Sequence, residues 1–99
     1  LYCYKKKVYT IECVKFKSLS NKDVVKVLDF LGYGAKEVLE ILQRDDLVDE
    51  IKSQGYISIN TLEGVERLYV GEMLVKGIKG EFYPVSEESF NQVYKIIEE

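Results

Sequence analysis

The chain has 99 residues, a formal net charge of −3, 46% hydrophobic and 31% charged residues, two cysteines and no histidine. That describes one domain, 1–99, with a modest core that buries about 60–70% of the surface its unfolded chain exposes. It excludes a helical membrane span, since no apolar run nears the roughly 18 residues required, a Ser-His-Asp or Cys-His triad, which needs imidazole, and a four-ligand zinc site built on two thiols.

The N-terminal "LYCYKKKVY" lacks an apolar h-region, so it is not read as a signal peptide. Cys3 and Cys13 are read as reduced thiols in a cytoplasmic chain, Cys13 as a small strand residue. Charge is uneven. Residues 1–36 hold eight lysines and three acids, a net +5, whereas residues 37–99 hold six basic and fourteen acidic residues, a net −8. Two halves that attract each other account for this, as would a face for a polyanion.

Taken in chain order, "VYTIECVKF" over 8–16 predicts a strand from its β-branched and aromatic content. Its apolar side switches from Tyr9, Ile11 and Cys13 to Val14 and Phe16, which implies either a bulge or burial on both faces. Ser20, with Asp23 three residues on, opens a helix of the capping-box kind, carried by Val24, Val27, Leu28 and Leu31 and ended by Gly32. An insertion over about 35–55 reads either as two short helices, the second starting at Asp46, or as a strand over 37–42 followed by a turn. "YISIN" alternates, with Ile57 and Ile59 on one face. "TLEG" is a hairpin loop in which Gly64 takes positive φ. "VERLYV" places Leu68 and Val70 on one side. "MLVKGI" and "EFYPV" are two more strands joined through Lys79–Gly80, giving an antiparallel meander. Ser86 caps a last helix with acids in its first turn. Its apolar stripe is Phe90, Val93, Tyr94 and Ile97, unless the final residues extend toward the sheet. The fold class is α+β: an antiparallel sheet of four to five strands packed against one to three helices. The expected core is Ile11, Leu28, Leu31, Ile57, Ile59, Leu68, Val70, Leu74, Phe82 and Phe90.

Three features bear on chemistry. In "GIKGEFYP", backbone amides freed by Gly77 and Gly80, with Lys76, Lys79, Glu81 and Tyr83, could grip a small nucleotide-like ligand, in one chain or across a homodimer interface. The same stretch also reads as a tight turn between two strands, with Pro84 ending the second. It is not a phosphate loop, which needs Gly-Lys-Ser/Thr opening a helix. Lys5–Lys7 among tyrosines could track a nucleic acid, but an acidic chain argues against that partner, and lysines beside an edge strand also discourage aggregation. Asp45, Asp46, Asp49 and Glu50 offer a partner-binding patch, and the acidic segment 37–66 could imitate a nucleic-acid surface toward a basic protein. Adjacent acids at helix starts do not make a catalytic pair, and no catalytic residue, metal ligand or cofactor is assigned. Eight tyrosines suit a surface that binds something.

From Leu62 onward the chain resembles the small phage and prophage domains of the PGDYG type. The matching positions are Leu62-Glu63-Gly64, Gly71, Gly77, Lys79, Gly80, Glu81, Phe82, Tyr83, Pro84, Phe90 and Tyr94, and 8–16 is similar to the strand that opens those proteins. Glu72, Met73 and Val70 depart from the pattern, standing where Asp, Tyr and Pro are usual. The resemblance covers about half the chain and implies a phage or prophage origin without an established activity. Together with the missing catalytic groups, it leads to the expectation of a non-enzymatic accessory protein that binds and blocks a host component, such as a defence factor.

Overall fold

The computed structural model describes residues 1–3, 9–32 and 41–97, with only the backbone described over 41–43. The Lys5–Lys7 run and Val38–Leu39 lie outside them. The described chain forms β1 (Glu12–Lys15), α1 (Asn21–Phe30), α2 (Ile41–Gln54), β2 (Tyr56–Thr61), β3 (Gly64–Tyr69), β4 (Met73–Lys76), β5 (Phe82–Val85) and α3 (Glu87–Val93). This is the α+β arrangement expected, with the strands divided between two antiparallel sheets, β1-β4-β5 and β2-β3.

The division corrects the single meander. β2 and β3 form the hairpin anticipated around Leu62–Glu63, from Tyr56↔Tyr69 to Thr61↔Gly64. β4 then leaves β3 and pairs with β1 (Val14↔Leu74) and β5 (Leu74↔Pro84). Two main-chain bonds steer the crossing: Gly71 N–H donates to the Phe16 carbonyl at 2.7 Å, and Phe16 N–H donates to that of Glu72 at 3.0 Å. The physical reason lies in β4 itself. Met73, Leu74 and Val75 are all buried, so both faces of this strand need apolar cover, which a position at the end of a meander lacks.

The two covers are distinct. On one side Leu74 joins Val14 and Phe16 from β1, Val24, Val27 and Leu28 from α1, Val48 and Ile51 from α2, and Ile57, Ile59 and Leu68 from the hairpin. On the other, Met73 and Val75 meet Phe90 of α3, with Ile11, Tyr83, Val85 and Tyr94 packed around them. β1 carries no bulge, since its register runs unbroken from Glu12↔Lys76 to Lys15↔Met73, and it is covered on one face only: Val14 is buried and Cys13 is exposed. It is shorter than the sequence suggests because β4 offers only four residues to pair with. Val70 leaves the expected core. β3 stops at Tyr69, and Val70 sits in the turn, 44% exposed. Ile11, Leu31 and Phe82 are half-buried.

Ser20 is the N-cap of α1, accepting from the Asp23 N–H at 3.3 Å. The other half of the capping box is absent. The Asp23 carboxylate accepts from the Ser18 hydroxyl at 2.6 Å, and Ser20 N–H donates to Ser18 Oγ. The Ser18 hydrogen bond holds the Asp23 carboxyl below its ordinary pKa, with Lys17 and Lys22 adding smaller attraction. α2 is one helix from Ile41, not a second helix begun at Asp46, and the strand reading fails at 41–42. Continuity follows from Val48 and Ile51, which are buried with Leu47 half-buried beside them, at the spacing of one helical stripe. Lys52 Nζ donates to Asn21 Oδ1 at 2.8 Å and Arg44 pairs with Asp29, so α2 lies antiparallel to α1. Lys15 meets Glu87 at 3.0 Å. The Lys15–Glu87 pair joins the basic N-terminal segment to the acidic remainder, whereas Arg44–Asp29 joins the two with the signs reversed.

α3 is shorter than its apolar stripe. Tyr94 is extended at φ −115, ψ 152, and the chain runs on without helix or ladder to Ile97. Val93 and Ile97 are exposed, leaving Phe90 buried and Tyr94 half-buried.

Candidate functional site

The stretch "GIKGEFYP" holds the hairpin turn between β4 and β5 and the first three residues of β5. Gly80 N–H donates to the Gly77 carbonyl at 3.0 Å, and Gly77 N–H donates to that of Glu81 at 2.7 Å. Gly80 has φ +82, a conformation that costs an L-residue about 1–2 kcal/mol. At Gly77 the requirement is space, since a Cβ would collide with the Glu81 carboxylate. That carboxylate folds back over the turn, and its Oε2 accepts from the Lys79 N–H at 3.2 Å. An amide that sequence reasoning offered to a phosphate therefore already faces an internal anion.

The proposed ligand residues divide between two hollows. Lys79, Glu81 and Tyr83 line a groove of about 500 Å³ between the tips of the two hairpins. Lys76 and Gly80 line a smaller one of about 210 Å³ beside β1. Lys76 Nζ lies 5.8 Å from the Phe82 ring centroid. Tyr83, at the margin of the larger groove, packs into the second core cluster. Its hydroxyl is 2.6 Å from that of Tyr94. Burial first, and then this contact, push the Tyr83 hydroxyl up to about 12.

The larger groove has a chemistry of its own. Leu62 and Glu63 from one hairpin tip face Ile78 and Lys79 from the other, with Phe82 and Pro84 between them. Leu62 is 82% exposed and Ile78 61%. Glu63, Glu66 and Glu81 set three carboxylates against the one ammonium of Lys79. Such a lining favours a cationic, partly apolar ligand over a phosphate. Leu62, Glu63 and Ile78 lie in two loops and Glu66 in β3, and their convergence escaped sequence reasoning because only the packing of β5 against β2 and β3 brings them together.

Asp45, Asp46, Asp49 and Glu50 are all exposed on α2. One continuous helix aligns them as Asp45–Asp49 and Asp46–Glu50 at i, i+4, a single acidic face opposite the Val48–Ile51 stripe. Among the described residues no group of three or more His, Cys, Asp or Glu is placed to hold a metal ion, and no helix is long and apolar enough to cross a membrane.

A further surface, unmarked in the sequence reading, is the outer face of the β2-β3 hairpin. Tyr56, Ser58 and Asn60 stand across from Tyr69, Arg67 and Val65. The Arg67 guanidinium lies 4.3 Å from the Tyr56 ring centroid, and the Tyr56 and Tyr69 rings are 5.9 Å apart. The signal was present as the complement of the Ile57–Ile59 alternation.

No family model matches the chain, and neither a curated protein nor a solved structure matches it. The similarity to PGDYG-type domains thus rests on the residues quoted for it.

Proposed function

We propose that this chain is a non-enzymatic accessory protein of the phage or prophage kind, which acts by binding and blocking a protein of the host. The observation that carries the reading is the groove between the hairpin tips. Two exposed aliphatic side chains, Leu62 and Ile78, line it together with Phe82, Pro84 and three carboxylates. Apolar side chains held in a concave site beside complementary charge suit protein recognition. The prophage context comes from the sequence resemblance, and the absence of histidine from the whole chain removes the usual neutral-pH base.

The nucleotide-like ligand is the weaker reading at the same site. A phosphate approaching the turn must displace Glu81 from the Lys79 amide and pass Glu63 and Glu66.

The test pairs capture with calorimetry. Immobilised protein is expected to retain a host protein that the Leu62→Asp, Ile78→Asp double variant does not retain. Nucleotide titrations are expected to give no heat. Retention unchanged in the double variant would overturn the groove as the contact site, and nucleotide heat abolished by Lys79→Ala would establish the ligand reading instead.

A further inference from the structure

β3 has an open edge of unusual character. Tyr69 N–H donates away from β2, to Glu72 Oε1 at 2.7 Å, and the Tyr69 carbonyl accepts from Glu72 N–H at 3.1 Å. Both Tyr69 groups therefore point away from β2. Orientation repeats every second residue in an antiparallel pair, so the N–H and C=O of Arg67 and Val65 point the same way. Among the described residues no backbone group meets them there, and Val65 is 69% exposed.

Natural sheets defend such edges with short strands, lysine, proline or bulges. β1 is four residues long and carries Lys15, and β5 carries Pro84. β3 has six residues, no lysine, no proline and an unbroken register with β2. Its two charges do not guard the edge. Glu66 turns to the groove, and Arg67 lies over Tyr56.

We propose that the outer edge of β3 receives an extended, carboxylate-bearing segment of a partner protein, added as a strand beside Val65 and Arg67. Main-chain hydrogen bonds give such additions their affinity, and side chains beside the edge give them selectivity. Arg67 is the only charged residue among the six on the outer face of the hairpin. Its guanidinium lies 4.3 Å from the Tyr56 ring centroid, and its forked N–H donors match the geometry of a carboxylate. Tyr and Arg are also the residues that dominate binding energy at protein interfaces. Glu72 ends the docking strip by occupying Tyr69. A second copy of this chain is the poorer occupant, because symmetric pairing about Arg67 sets two guanidinium groups against each other. A single-stranded nucleic acid is poorer too, since no further cation on this face tracks a phosphate backbone.

The site is separate from the groove, so Leu62→Asp with Ile78→Asp leaves it intact. The test is an NMR titration of the full chain with a ten-residue peptide alternating valine and glutamate. A valine–lysine peptide and an oligothymidylate serve as comparisons. The acidic peptide is expected to bind saturably and to slow hydrogen exchange at the Val65 and Arg67 amides. Val65→Pro removes an outward N–H without breaking a bond to β2; its spectrum is expected to stay folded while affinity falls at least tenfold. Arg67→Gln is expected to abolish the preference for the acidic over the basic peptide. Equal or tighter binding of the basic peptide or the oligothymidylate would overturn the proposal. So would unchanged exchange at the two amides at millimolar acidic peptide, or a concentration-dependent dimer that protects them without peptide.

Discussion

The hydroxyls of Tyr83 and Tyr94 lie 2.6 Å apart and tie β5 to the end of α3. α3 is only seven residues long, too short to hold together unaided. It is held by this contact, by buried Phe90 stacked on Tyr94 at 4.9 Å, and by the Lys15–Glu87 pair at the other end. Tyr94→Phe deletes one hydroxyl and leaves Tyr83 without its partner. The expected cost is about 0.5–1.5 kcal/mol, measured by urea unfolding, with the loss concentrated in the exchange of α3 amides.

The same pair sets an alkaline limit. The folded Tyr83 hydroxyl is pushed up to about 12, whereas an unfolded tyrosine ionises near ~10. The folded state therefore holds this proton more tightly. The stabilisation is fully present below the unfolded pKa and is lost as pH rises through the folded one. Unfolding free energy is expected to decline between those two values in the wild type and to decline less in Tyr83→Phe.

β4 is where apolar burial is concentrated. Leu74→Ala is expected to cost about 2–5 kcal/mol, since the side chain is fully buried. Val70→Ala, in the exposed turn one crossing away, is expected to stay within about 0.5 kcal/mol of wild type. Equal effects at the two positions would mean that Val70 is packed in solution as the sequence pattern alone suggests.

The β4–β5 turn separates two roles of glycine. Gly80→Ala forces an L-residue to φ +82 and is expected to destabilise by about 1–2 kcal/mol. Gly77→Ala meets the end of a flexible side chain, so its stability cost is expected to be smaller. It must swing Glu81 away, however, and faster hydrogen exchange at the Lys79 amide is the expected mark.

The acidic face of α2 opposes its own helix. Asp45→Asn and Asp49→Asn each relieve an i, i+4 like-charge pair and are expected to add about 0.2–0.5 kcal/mol. If this face also contacts the host partner, neutralising Asp45, Asp46, Asp49 and Glu50 together weakens retention from lysate while raising thermal stability. Retention that is unchanged confines recognition to the hairpins.

Local periodicity and turn chemistry were enough to place most elements. The Ile57/Ile59 alternation, the Leu62–Glu63 loop before Gly64, and the caps at Ser20 and Ser86 each depend on residues within a few positions of one another, so their physics is written in the chain. The α+β class followed from the same signals. What lay beyond that reach was every relationship set by burial between distant segments. β4 crosses to β1 because three consecutive apolar residues need cover on two faces, and no local pattern says which segments supply it. α2 runs continuously because Val48 and Ile51 find a core beneath them. The groove exists because two hairpin tips, Leu62–Glu63 and Ile78–Lys79, are brought side by side. The Arg67–Tyr56 stack and the open edge of β3 exist because β4 departs. Short-range conformational preference determined the pieces; competition for a small shared core decided their arrangement, and the surfaces available to a partner are what that competition left uncovered.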